Sequence, residues 1–190
     1  FSLAGANPAD SGTLFTGATS AFNSAQQAAV VAGLARLSSI TGISFQATAD
    51  GSAADLHFAN ANILGSATSG YASTKWNYEY DGRQTITRYS ADAWVYLDNV
   101  EWAGENTNPT VGTAGFEVLL HELGHAMGLK HPFEGAVVLP AALDDTAHTL
   151  MSYDRAGSVR SDYSPYDVAA LQFLYGDDGL GGAWGWGSGG

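Results

Sequence analysis

The sequence predicts an α/β-type (α+β) domain, and three observations carry that expectation. A capped helical stretch near residue 24 runs into short strand patterns. An Asp-Gly turn sits between two β-rich runs. A second helical stretch near residue 116 gives way to a long segment with little periodicity. The 190 residues suit one domain, and 45% hydrophobic against 14% charged residues is the balance of a chain that folds around a core.

The elements follow in order. Ser24 with Gln27 three residues on forms a capping-box pattern, Val30, Leu34 and Leu37 share one face, and Gly42 stops the helix. Residues 43–48 and 54–59 read as short strands around an Asp50-Gly51-Ser52 turn. Tyr78-Glu79-Tyr80 and Thr85-Ile86-Thr87 flank Asp81-Gly82, a pair that readily takes the positive φ of a hairpin turn, and a further strand is expected at 93–97. Residues 101–115, rich in Asn, Thr, Gly and Pro, form a connection to a helix over 116–127. The irregular stretch 128–164 exceeds ordinary structural loops and is therefore expected to be functional. Ser164, Pro165, Asp167 and Gly176 mark the start and stop of a last helix, and 177–190 reads as a Gly-rich tail carrying Trp184 and Trp186.

Composition removes several function classes. Nineteen acidic against seven basic residues, a net charge of -12, repel phosphates and anionic membrane surfaces, so neither nucleic acid nor membrane is an expected partner. Surplus carboxylates can attract calcium, but no motif here supports a calcium site. The absence of cysteine excludes disulfides, thiolate ligands and a cysteine nucleophile, leaving nitrogen and oxygen for any metal. No apolar run approaches the roughly 18 residues of a membrane span, and removal of a leader or propeptide before Phe1 is an expectation.

The chemistry is concentrated in His121-Glu122-Leu123-Gly124-His125. Histidines four apart lie one helical turn from each other, where both reach one ion. The pattern extends through Gly128 to His131, giving HExxHxxGxxH, a far more specific signal than HExxH alone. A helix continuing past His125 would carry His131 away, so the chain must turn back; Gly128 permits that turn and Pro132 disfavours helix at His131. Three neutral imidazoles leave a fourth position open, the arrangement of catalytic zinc, which lowers the pKa of bound water to about 7. Glu122 is placed to take the proton and pass it to the leaving amine. His57, within a strand pattern, reads as structural, and His148, in the loop before Met151, is a candidate supporting residue.

With these residues in hand, the sequence resembles the metzincin metalloproteases. Leu150-Met151-Ser152-Tyr153 resembles their methionine turn beneath the metal, with Met151 in the floor. By that resemblance Tyr153 is a candidate additional zinc ligand at rest and a catalytic hydrogen-bond donor. His131-Pro132, the stretch 167–172 and Leu174-Tyr175-Gly176 look like the serralysin branch, and the lack of cysteine sets the chain apart from the usually disulfide-bonded astacins. The resemblance runs from about Thr13 to Gly176 and implies a zincin-like fold. In it, a twisted mixed sheet and two long helices, to about residue 128, stand above an irregular lower subdomain, 129–176, with the cleft between. Gly70-Tyr71-Ala72 resembles the edge strand that pairs with extended substrate. The final Gly-rich segment lacks the calcium-binding nonapeptides common in serralysins, so the chain reads as a catalytic domain alone.

The activity so implied is that of a secreted, extracellular zinc endopeptidase. The expected protein is a monomer that acts on protein or peptide substrates and meets a proteinaceous inhibitor. The rival is a zinc-containing peptide-binding module without turnover, and it is separated from the enzyme by whether a metal-loaded chain cleaves peptides.

Overall fold

The computed structural model describes residues 1–3, 14–83 and 86–176. Thr13, Thr85 of the expected hairpin and the Gly-rich segment 177–190 lie outside the described residues. The elements are β1 (Phe15–Ser20), α1 (Ser24–Thr41), β2 (Leu56–Ile63), β3 (Gly70–Tyr80), β4 (Ile86–Asp98), the single turn α2 (Ala103–Asn106), α3 (Ala114–Ala126) and α4 (Pro165–Tyr175). The sheet order is β1-β2-β4-β3, with β2 and β4 parallel and the outer pairs antiparallel. Both an α/β layer and a mixed sheet are as expected, and β3 forms one edge of the sheet.

Helix α1 begins one residue earlier than its apparent box. Asn23 Oδ1 accepts from the Gln26 amide at 3.0 Å, and Gln26 Oε1 accepts from the Asn23 amide at 2.9 Å. Tertiary structure selects this frame, because the buried Gln26 also donates to Asn60 Oδ1 (2.6 Å) and to the Asn106 carbonyl (3.0 Å). Gly42 ends the helix with φ 74°, as its position predicts. Val30, Leu34 and Leu37 of α1 share one core with Phe58, Val95 and Leu97 of the sheet and with Leu119, Leu120 and Leu123 of α3. The two helices approach closely because residue 33 is glycine: a Cβ there would lie 2.7 Å from Leu123 Cδ1.

The strand expectations need three corrections. Residues 43–48 form no strand; their backbone bonds a lone residue instead of a neighbouring strand, with the Phe1 ammonium donating to the Gln46 carbonyl and the Thr48 amide to the Phe1 carbonyl. The hairpin arm at Ile86-Thr87 and the separate strand expected at 93–97 are one strand, β4, whose middle carries Arg88, Ser90 and Asp92 and so lacks the apolar alternation that would have joined them. Strand β1 was not foreseen, since its residues are mostly exposed and Gly17, at φ 77°, interrupts its register with β2. The second helix runs over Ala114–Ala126, capped by Thr113, whose hydroxyl oxygen accepts from the Phe116 amide.

Among the described residues beyond Gly128, regular structure is confined to a 3₁₀ turn, Ala141–Leu143, and α4. The sequence signals for α4 hold: Ser164 precedes it, Pro165 occupies its first turn, and Asp167 Oδ2 accepts from the Ser164 amide at 2.9 Å. The Tyr175 hydroxyl donates to the Met127 carbonyl at 2.9 Å, which ties the end of α4 to the end of α3.

Candidate metal centre

His121 and His125 project from one face of α3, and the chain reverses at Gly128, whose φ of 91° is open to glycine at no steric cost. The reversal returns His131 to the other two: its Nε2 lies 3.3 Å from His121 Nε2 and 3.1 Å from His125 Nε2. The opposite nitrogens are engaged elsewhere. His121 Nδ1 is 2.9 Å from the Leu150 carbonyl, and His125 Nδ1 is 2.8 Å from the Leu129 carbonyl. His131 Nδ1 lies 2.9 Å from Glu134 Oε1, an ion-pair approach rather than a well-aligned hydrogen bond.

These partners fix the tautomers. Carbonyl oxygens accept only, so Nδ1 of His121 and of His125 carries the proton and their Nε2 atoms present lone pairs, and the Glu134 carboxylate beside His131 Nδ1 favours the same arrangement there. Three acceptors facing one another need a cation between them. Tetrahedral ligands at Zn–N distances of about 2.0–2.1 Å stand about 3.3–3.4 Å apart, so the spacing fits zinc. Burial pushes His121 down to about 4 and lowers His125, which keeps these imidazoles neutral, as metal ligation requires. The three histidines are the only such ligand cluster among the described residues.

Glu122 is buried beside them. Burial pushes its carboxyl up to about 8, a shift that a neighbouring dication opposes. The side chain lies against the start of β3: a Cβ on Gly70 would sit 2.8 Å from both Cγ and Oε1 of Glu122 and 2.9 Å from Val118 Cγ1. Gly70 is therefore a close-approach glycine. Gly70, Tyr71 and Ala72 pair with Leu97, Tyr96 and Val95 of β4, so their other edge is free of sheet neighbours and runs past Glu122.

Met151 is fully buried beneath α3, with its sulfur 2.8 Å from where a Gly124 Cβ would be. That contact accounts for the glycine inside HELGH. The turn carrying Met151 is held from α4: Asp167 accepts from the Thr149 hydroxyl (2.6 Å) and the Leu150 amide (2.7 Å). Burial raises the Asp167 carboxyl above its ordinary value, and these hydrogen bonds oppose the rise. Since the Leu150 carbonyl accepts from His121, a short path of bonds runs from Asp167 to the first imidazole.

Tyr153 is exposed, with its ring 4.7 Å from that of His131 and 6.0 Å from that of His121. Two neighbours were not anticipated: Phe133 stacks on His131 at 5.1 Å, and Glu134 meets its Nδ1. The only sequence signal for Glu134 was its place three residues after a ligand. His57 lies apart from the triad, stacked on Trp94 at 5.0 Å. His148 also lies apart, its Nδ1 2.9 Å from Asp145 Oδ1 in the turn preceding Met151.

A mixed sheet over a helix that supplies two imidazoles, with a third returned by a glycine turn, defines a metzincin-type metallopeptidase domain. Residues 14–176 match the matrixin family of peptidases, and the chain belongs to that family. It is similar to Serralysin G of Dickeya chrysanthemi, 26% identical over 169 residues that cover 82% of this chain and 34% of that protein. It is also similar to a Serralysin of Proteus mirabilis (29% over 138 residues, 64% and 26%) and to Metallopeptidase AprA of Pseudomonas marginalis (27% over 177 residues, 83% and 35%). The chain thus spans about a third of the length of these relatives, and its catalytic domain is serralysin-like with zinc as the cofactor. No described helix is long and apolar enough to cross a membrane.

Proposed function

We propose that this chain is an endopeptidase that hydrolyses internal peptide bonds of proteins, with His121, His125 and His131 as zinc ligands and Glu122 as general base. The observation that carries the reading is the convergence of three Nε2 lone pairs beside a buried carboxylate, directly under a free sheet edge. Zinc held there supplies Lewis acidity, polarising a carbonyl and acidifying water. An extended peptide adds to β3 through its main chain at Gly70–Ala72, which aligns the scissile bond over Glu122. Glu122 takes a proton from the attacking water and delivers it to the leaving amine. Tyr153, beside the triad, would join these residues in holding zinc at rest and would donate a hydrogen bond where negative charge develops on the carbonyl oxygen. The resemblance also supports action outside the cell, as a monomer, on protein substrates.

Incubation with casein and with a quenched peptide, with and without a chelator, tests this. Cleavage that a chelator abolishes and zinc restores is expected. Stoichiometric zinc with no cleavage of any peptide library would leave a binding module instead.

A further inference from the structure

Two of the three imidazoles are oriented by main-chain carbonyls, those of Leu150 and Leu129, which move only if the fold moves. The third is oriented by a side chain. The Glu134 carboxylate lies 2.9 Å from His131 Nδ1 in an ion-pair approach, and that buried nitrogen has no hydrogen-bond partner among the described residues. What places Glu134 is the residue before the ligand. The Lys130 ammonium donates to the carbonyls of His131 (3.4 Å), Glu134 and Val137 (2.8 Å), so the segment 131–137 is wrapped around one cation. Gly135, at φ 80°, lets the chain curl there, and a Cβ on it would stand 4.0 Å from the ammonium. The Glu134 amide bonds back to the His131 carbonyl (3.2 Å), and the Leu139 amide closes the loop on the Pro132 carbonyl (2.9 Å).

We propose that Lys130 and Glu134 form a positioning pair that sets how tightly His131 holds the metal: Lys130 gathers the loop carbonyls, and the loop so formed carries the Glu134 carboxylate to His131 Nδ1. The inference rests on the metal-site reading above. A carboxylate behind an imidazole fixes its orientation and raises the basicity of the opposite nitrogen more than a neutral carbonyl does. His131 is therefore the ligand whose grip depends on two exposed side chains, while His121 and His125 are fixed by packing.

The test uses the zinc-loaded full chain and reads zinc transfer to a chromophoric chelator, a rate independent of turnover. Loss of such an orienting partner typically costs 10–100-fold in metal affinity, and because the Glu134 side chain is 53% exposed we expect the lower end, about tenfold faster release in Glu134→Ala. Lys130→Met should accelerate release similarly. Because Lys130 acts through Glu134, the double variant should release zinc no faster than Glu134→Ala alone; a purely structural lysine would add its own effect. Glu134→Gln, which keeps the shape without the charge, guards against a folding artefact and should also release zinc faster than the parent. Rates within about twofold of the parent in folded Glu134 variants would overturn the proposal, and additive effects would remove Lys130 from it. His131→Ala run in parallel separates the two failures: if it too retains zinc like the parent, the metal site itself is misassigned.

Discussion

The segment before Gly128 and the segment after it are held together by different physics. The first half is periodic: α1 and α3 bury Val30, Leu34, Leu37, Leu119, Leu120 and Leu123 against the sheet, and the positions of its side chains follow from packing. The second half places Leu129, Leu150, Met151 and Tyr163 in the same core, but between these, and apart from α4, its irregular backbone is tied by polar anchors that accept or donate several bonds each. Glu117 of α3 receives both Arg155 guanidinium nitrogens and the Arg160 amide; Asp167 receives Thr149, Leu150 and Ser164; Lys130 binds three carbonyls. The candidate metal centre lies on the seam. Two candidate ligands, His121 and His125, and Glu122 come from the packed half, while His131, Met151 and Tyr153 come from the anchored half. The contrast predicts that damage to the first half lowers global stability, whereas damage to the second loosens the metal and slows turnover in a chain that stays folded.

The largest effect on stability is expected from Leu123→Ala, a fully buried side chain packed against Gly33: about 2–5 kcal/mol in denaturant unfolding of the zinc-loaded protein. A loss under 1 kcal/mol would mean that α1 and α3 do not share a core. Tyr153→Phe sharpens the other side. Loss of one donor to the developing oxyanion should lower kcat and kcat/KM together by on the order of 10², about 3 kcal/mol of barrier, with the melting temperature unchanged because the residue is exposed. A variant with full kcat would return Tyr153 to a packing role. Asp167→Asn leaves one acceptor oxygen and no charge for the Thr149 hydroxyl and the Leu150 and Ser164 amides, and should cost about 1–3 kcal/mol and speed zinc release through the Leu150 carbonyl. Unchanged zinc release would break the path from Asp167 to His121. Met151→Leu should matter least, under about 1.5 kcal/mol with most activity kept, because the volume under Gly124 is conserved. Loss of bound zinc in that variant would show that the sulfur does more than pack.

The same contrast decides what the sequence reveals. Periodic packing and capping leave local signatures, so α1, α3 and α4 are legible to within a few residues, and the ligand triad is legible because helical spacing and one glycine turn generate it. The polar anchors leave none. Nothing in the sequence pattern announces that Lys130 bonds three carbonyls within the next seven residues, or that Glu117 meets Arg155 across 38 residues. The same holds for β1, whose exposed residues lack alternation, and for residues 43–48, whose strand-like pattern is diverted to the chain start by Phe1. Asp167 was visible only as a helix cap; its second task, holding the turn under the metal, depends on a contact that sequence spacing cannot express.

The central claim is that Glu122 works as the base beside a triad that binds zinc without it, and Glu122→Gln tests it most directly. The amide keeps the size of the side chain against Gly70 and leaves all three imidazoles in place. Zinc content after dialysis should therefore remain one per chain, while kcat/KM on a quenched peptide falls by about 10²–10⁴. A metal-loaded Glu122→Gln protein that cleaves at near the parent rate would contradict the account.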